Sequence, residues 1–276
     1  MNNLVTRSLS GIVFIAVVLV CLLTDKYLYG VLGLFLTAGM LLEFYKLSTS
    51  GRHPHAKWLA VAAGAAWFAL VFCHQVWGLD ARFLSLPVIL LALIVVTAVF
   101  GGDIANMEDY AYMFTGLLYI AGPLALSNFL VFRGGEFSGL LMLCFFIMIW
   151  CSDVGAYCIG TAFGQKPDSR KLAPAISPKK SWVGFWGGMV FCIAAALLLK
   201  YAGLMDLAPV HCVVLGMTVH TGGVCGDLFE SLWKRHFGVK DSGNLIPGHG
   251  GLLDRFDSAL VAIPLGALYL SLTSLL

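Results

Sequence analysis

The sequence predicts an all-α integral membrane protein, a polytopic bundle of about nine transmembrane helices. Three observations carry this. The chain is 59% hydrophobic and only 12% charged, its mean hydropathy is +0.88, and apolar runs long enough to cross a bilayer recur from end to end. Soluble domains do not have this composition, and about 30 Å of hydrocarbon requires roughly 17 to 25 residues of apolar helix.

The first run, 8–24, follows Arg7 and is read as a retained helix, because no small-x-small cleavage site follows it and further spans do. Runs at 28–47, 58–76, 83–100 and 110–132 continue the series, and 138–160, 182–202, 207–231 and 256–276 complete it. The eight cysteines form no C-x-x-C pair and fall mostly inside these runs, so they are expected to pack as small apolar side chains, without disulfides or a cysteine metal site. No G-x-x-x-x-G-K-[ST] occurs, which removes a Walker-type nucleotide site.

With a cytoplasmic N-terminus, thirteen of the seventeen Lys and Arg residues fall on the cytoplasmic side. Only Lys26, Arg82, Arg133 and Lys200 fall on the other, and this bias orients all nine spans consistently. The loops 161–181 and 232–255 then share the cytoplasmic face. Arg52 and Lys57 are read as charges that fix topology.

Carboxylates within or beside apolar spans are costly, roughly 2.5 to 3.5 kcal/mol at a helix centre, and are therefore functional candidates. Glu43, Asp153, Asp227, Glu230 and Asp257 qualify. Glu43 stands three residues before Lys46, so an ordinary i, i+3 pair is expected there. Asp227, Glu230, Ser231 and Lys234 follow the spacing i, i+3, i+4, i+7 and form one polar stripe on an apolar helix. Gly222, Gly223 and Gly226 precede it, at a spacing that lets a second backbone come close. Asp153, beside Ser152, has no cation in its own span.

"KDSGNLIPGHGG" brings Lys240 and Asp241 together with Gly243, Pro247, Gly248, Gly250 and Gly251. So much glycine and proline marks a loop whose amides are open to an anion, and a helix starting near Leu252 would aim its positive end at the same place. Phosphate is the expected guest. Asp254 and Asp257, with Arg255 between them, sit in the first turn of that helix, where one of the two is accounted for by capping alone. Oxygen ligands suit Mg²⁺, which takes one or two carboxylates and completes its shell with water and phosphates; Asp227 and Asp254 are the expected pair. "RKLAPAISPKKSWVGF" adds Ser177, Lys179 and Lys180 ahead of the next span, for substrate phosphate or for lipid headgroups. His249 between glycines is a candidate phosphate donor, acid-base group or turn cap.

Ser231 to Asp257, "SLWKRHFGVKDSGNLIPGHGGLLDRFD", resembles the signature of the phosphatidate cytidylyltransferases, or CDP-diacylglycerol synthases, at every fixed position over 27 residues. Trp233 stands where that family usually has an aliphatic residue, methionine or phenylalanine, and keeps a bulky apolar side chain. "SDVGAY", "KLAPAISPKKSW" and "GDLFESLWKR" look like further family segments, with Ser181 where threonine is common. The resemblance runs from about Ile149 to the C-terminus. It implies transfer of CMP from CTP to phosphatidate, giving CDP-diacylglycerol and pyrophosphate in phospholipid biosynthesis, with Mg²⁺, in the bacterial inner membrane with the site facing the cytoplasm.

On that reading, residues 1–135 are transmembrane helices that pack and shape a lipid pocket. Residues 136–276 form the catalytic region with loops 161–181 and 232–255. The expected catalytic residues are Asp227, Lys240, Asp241, Asp254 and Asp257, with Asp227 and Asp254 as metal ligands. Substrate binding is assigned to Asp153, Ser177, Lys179, Lys180, Ser231, Lys234, Arg235, His249, Gly250, Gly251 and Arg255. CTP, phosphatidate and membrane lipids are the expected partners, and nucleic acid is not. A homodimer, a second divalent ion and a monovalent cation beside one Mg²⁺ are left open. The competing expectations are a CTP-dependent kinase or nucleotidyltransferase for another lipid such as a polyprenol, and a transporter. Against the transporter, the charges cluster at one face and no paired broken helices recur.

Overall fold

The computed structural model describes residues 3–166, 169–243, 245, 248 and 250–276, with residues 3–8 by backbone alone. Among them, eight helical segments are long and apolar enough to cross a membrane: Lys26–Thr49, Pro54–Trp77, Ala81–Gly101, Glu108–Val131, Leu140–Phe163, Trp182–Tyr201, Pro209–His236 and Leu253–Leu272. A shorter apolar stretch, Leu9–Thr24, lies in the first helix, so each of the nine apolar runs falls on a helix. The chain is an integral membrane protein built as a polytopic helical bundle. It groups into two compact units, Met1–Phe137 with Asp241–Arg255, and Ser138–Lys240 with Phe256–Leu276.

The first unit opens with α1 (Asn3–Thr24) and α2 (Lys26–Thr49). They meet at Asp25, which caps α2 by accepting from the amides of Tyr27 at 2.8 Å and Leu28 at 3.1 Å. α3 (Pro54–Trp77) and α4 (Pro87–Gly101) each begin at a proline, whose missing N–H costs nothing in the first turn. The span Glu108–Val131 is not one regular helix. α5 (Glu108–Gly116) passes through a π turn, Leu117–Ala121, into α6 (Gly122–Val131). Pro123 explains the break, since it removes a ladder hydrogen bond and its ring crowds the preceding turn. This span is the most enclosed of the eight. Tyr45 from α2 donates to the carbonyl of Met113 at 2.7 Å. A short antiparallel pair, β1 (Phe132–Arg133) with β2 (Glu136–Phe137), follows.

Arg52 is not only a topology charge. Its guanidinium donates twice, from Nε and from Nη2, at 2.8 Å each, to the fully buried carboxylate of Asp109. That hydrogen bonding pushes the Arg52 pKa further up. His53 Nε2 lies 3.5 Å from both Asp103 and Asp109.

The second unit contains α7 (Leu140–Phe163), α8 (Trp182–Tyr201) and α9 (Pro209–His236). The segment 161–181, expected as a loop, carries an antiparallel pair, β3 (Lys171–Ala173) with β4 (Ser177–Ser181). Pro174 lies in the connecting turn, where its fixed φ costs little, and Pro178 lies in a two-stranded ribbon whose outer edge needs no donor. The last span is α10 (Leu253–Phe256) followed by α11 (Ala259–Leu272), interrupted at Asp257 and Ser258.

The predicted close approach at the glycines is real, and its partner is this last span. A Cβ on Gly222 would lie 3.0 Å from the Ala262 Cα, and one on Gly226 only 2.3 Å from the Asp257 carbonyl oxygen. The glycines let α9 lie directly against the 257–258 turn and α11.

Candidate active site

The second unit encloses a cavity of about 610 Å³. Asp153, Tyr157 and Thr161 from α7, Lys179 and Lys180 from β4, and Asp227 from α9 line it, with further apolar and glycine positions. Two acids and two cations predicted from separate stretches thus bear on one region. The Lys180 ammonium pairs directly with Asp227 Oδ2, with both side chains about one-third exposed. Ser231 Oγ donates to Asp227 Oδ1 at 3.4 Å, one helical turn along the predicted stripe. Asp153 lines the same cavity as Asp227 and Lys180, so the cation missing from its own span stands on the hairpin.

A network that the sequence reading missed holds the hairpin in place. Gln165 Nε2 donates to the carbonyl of Lys179 at 2.9 Å and to that of Gly160 at 3.3 Å. Lys171 Nζ donates to Gln165 Oε1 at 3.0 Å and to the Gly164 carbonyl at 2.9 Å, where α7 ends. Arg235 Nε reaches the Ile176 carbonyl at 3.5 Å, and Ser181 caps α8 by accepting from Gly184 at 3.2 Å. Ser177 and Lys179 lie on the same strand as Lys180. Farther along α9, Lys234 lies 3.4 Å from the buried carboxylate of Glu230. Lys240 is exposed at the end of this unit's first segment.

The signature loop belongs to the first unit from Asp241 to Arg255, and there the structure differs from the expectation in an informative way. Asp254 Oδ2 accepts from the amides of Gly251 at 2.8 Å and Ser242 at 3.0 Å, so the capping role that the sequence allowed to one acid falls to Asp254. Glu43, expected to pair with Lys46, is turned to the loop instead. Its Oε1 accepts from Leu252 at 3.1 Å and its Oε2 from Leu253 at 3.0 Å, with Ser242 Oγ at 3.4 Å. The amides that the sequence offers to a phosphate near Leu252 are therefore taken by two carboxylates. The reason is electrostatic: an orphan helix N-terminus accepts any nearby anion, and the chain supplies one. Gly250 adopts φ +85°, the left-handed region that favours glycine. Asp241 and Arg255 are exposed, Asp257 accepts from the Ser258 amide at 2.6 Å, and His249 lies outside the described residues.

Asp227 belongs to the second unit and Asp254 to the first. Among the described residues no group of three or more His, Cys, Asp or Glu side chains is arranged around one ion. The chemistry of the donors still fits Mg²⁺, which needs only one or two protein carboxylates. At Asp227 a positive charge already sits against the carboxylate, in the form of the Lys180 ammonium. Glu43 and Gln165 were the functional candidates that the sequence obscured. Glu43 carried the signal of an acid in a span, but Lys46 offered a local explanation; Gln165 carried none.

The chain matches the Cytidylyltransferase family over residues 5–273. It is similar to a phosphatidate cytidylyltransferase of Bacillus subtilis, 42% identical over 118 residues, which are 43% of this chain and 42% of that protein. A phosphatidate cytidylyltransferase of Haemophilus influenzae is 43% identical over 133 residues, 46% of this chain and 45% of that protein. One from Staphylococcus epidermidis is 38% identical over 163 residues, 58% of each chain. The matched stretches thus span about half the length of these curated relatives. Because the family match runs along nearly the whole sequence, the chain belongs to the cytidylyltransferase family.

Proposed function

We propose that the protein is a phosphatidate cytidylyltransferase, joining CMP from CTP to phosphatidate and releasing pyrophosphate in phospholipid biosynthesis. The observation that carries this reading is the cavity on which Lys179, Lys180, Asp153 and Asp227 converge, since it offers cations for phosphates beside carboxylates for a cation. The relatives named phosphatidate cytidylyltransferase support the choice of substrates. The concentration of Lys and Arg in 161–181 and 232–255 supports a site that faces the cytoplasm.

In this reading a phosphatidate phosphate oxygen attacks the α-phosphorus of CTP in line. The new P–O bond forms as the bond to the bridging α–β oxygen breaks, and pyrophosphate leaves with its electron pair. A phosphomonoester is already largely dianionic near neutral pH, so the protein needs to position and neutralise more than to abstract a proton. Lys179 and Lys180 meet phosphate oxygens at the cavity. Lys240, Lys234, Arg235 and Arg255 are further phosphate-binding candidates, and Asp241 and Asp257 orient cations. Asp227, at the cavity, is the carboxylate that would hold Mg²⁺, which when bound neutralises phosphate charge and steadies the leaving pyrophosphate.

Purified protein supplied with phosphatidate, Mg²⁺ and CTP labelled separately at the α- and γ-phosphates tests the proposal. Transfer of the α-label to lipid with stoichiometric pyrophosphate supports it. Transfer of the γ-label would make the protein a CTP-dependent kinase, and transfer only to a polyprenyl phosphate would change the acceptor.

A further inference from the structure

We infer that Glu43, on the second helix of the chain, is a positioning residue for the reaction, seating the signature loop from a span more than 190 residues earlier in sequence. The inference rests on the proposed cytidylyltransferase activity and names a residue outside the signature. Glu43 accepts from three donors of that loop: the Leu252 and Leu253 amides and the Ser242 hydroxyl. These donors flank the loop on both sides, so one carboxylate ties the entry of the loop to its exit.

The surrounding backbone is shaped to this carboxylate. A Cβ on Gly243 would lie 2.6 Å from Glu43 Oε1, and one on Gly251 would lie 2.5 Å from Glu43 Oε2. Two of the loop's glycines are thus needed because the Glu43 head occupies the space a side chain would take. One turn earlier on α2, a Cβ on Gly39 would lie 2.7 Å from Leu252 Cδ1, so the helix face bearing Glu43 is contoured to the loop. Asp254 completes the arrangement from within the loop by taking the Ser242 and Gly251 amides. Between them, two carboxylates fix the backbone that carries Asp241, Asp254 and Arg255. Glu43 touches no substrate in this account, and its effect on the reaction passes through the loop.

The test compares wild type with Glu43→Gln, which keeps the side-chain shape but removes the charge and one acceptor. Amide exchange over 250–253 is measured in nanodiscs without substrate, and turnover is measured with CTP and phosphatidate. The expected result is faster exchange at 252 and 253, and kcat lower by about tenfold to a hundredfold, with KM for CTP within about twofold of wild type. Faster exchange with unchanged kcat would make Glu43 purely structural and overturn the inference, as would unchanged exchange. Should Glu43→Gln fail to accumulate, Glu43→Asp, which keeps the charge and withdraws it by one methylene, is judged by the same pair of readouts. A wild-type protein that transfers no CMP would count against the proposed function, while an active wild type with a fully active Glu43→Gln would count against the role of Glu43 alone.

Discussion

Lys180 and Asp227 form an ion pair across 47 residues of sequence, joining the end of a hairpin strand to the polar stripe of α9 at a cavity wall. Such a pair, only partly exposed and bordered by apolar surface, sets an ammonium beside a carboxylate where a phosphate would approach. Asp227→Ala is expected to abolish CMP transfer while the protein still inserts and purifies. Lys180→Ala is expected to lower kcat by about 10² to 10³, the range seen when one preorganised charge-stabilising donor is removed. Labelled CTP with phosphatidate reads both. Near-normal turnover in Asp227→Ala would remove it from the machinery.

Lys179 is the neighbour whose role the same assay separates from topology. It lines the cavity, and its backbone carbonyl is held by Gln165 while its side chain stays exposed. If that side chain binds substrate phosphate, Lys179→Ala raises KM for CTP or for phosphatidate severalfold at nearly constant kcat, the pattern of lost uniform binding. Unchanged KM for both substrates would leave Lys179 as a charge that orients the chain in the membrane.

Gly226 and Gly223 make a matched stability pair. An added methyl at Gly226 meets the Asp257 carbonyl oxygen at 2.3 Å, whereas at Gly223 the nearest atom, Ser258 Cβ, is at an ordinary 3.6 Å. The obstacle at Gly226 is backbone and has little freedom to move. Gly226→Ala is expected to cost about 1 to 3 kcal/mol by overpacking and to displace the 257–258 turn, with Gly223→Ala close to wild type. Thermal unfolding in detergent distinguishes them, and equal midpoints for the two variants would contradict the packing described.

The span positions, the polar stripe of α9 and the glycine contacts were legible because each depends on local spacing. Apolar length marks a membrane helix, the 3.6-residue repeat puts Asp227 and Ser231 on one face, and small residues four apart mark a close crossing. Partners distant in sequence were not legible. Nothing near Asp153 announces Lys180, and nothing near Glu43 announces Leu252, so a local pair with Lys46 was the cheapest reading. Likewise, periodicity does not reveal that the amides around Leu252 would be taken by carboxylates from the chain itself, because that depends on which helix lies alongside.

The contacts between 52 and 109 allow a prediction about pH. Arg52 holds the fully buried Asp109, and hydrogen bonding to it raises the guanidinium pKa. A raised basic group gives stability that is present below its unfolded pKa and lost only as pH rises through the folded one, far into alkali. Arg52→Ala should therefore lower the unfolding midpoint at every pH from about 5 to 9, and Arg52→Lys, which cannot reproduce the two-pronged contact, should fall between. Asp103 works in the opposite sense. The Asn106 side-chain amide, at 2.9 and 3.1 Å, holds its pKa below the usual carboxylate range. Its contribution is present above the unfolded value of about 3.9 and is lost as pH falls through the lower folded value. The difference in midpoint between wild type and Asn106→Ala should thus be constant above about pH 5 and shrink on acidification. A difference that grows towards acid would show that the amide favours the protonated carboxyl instead.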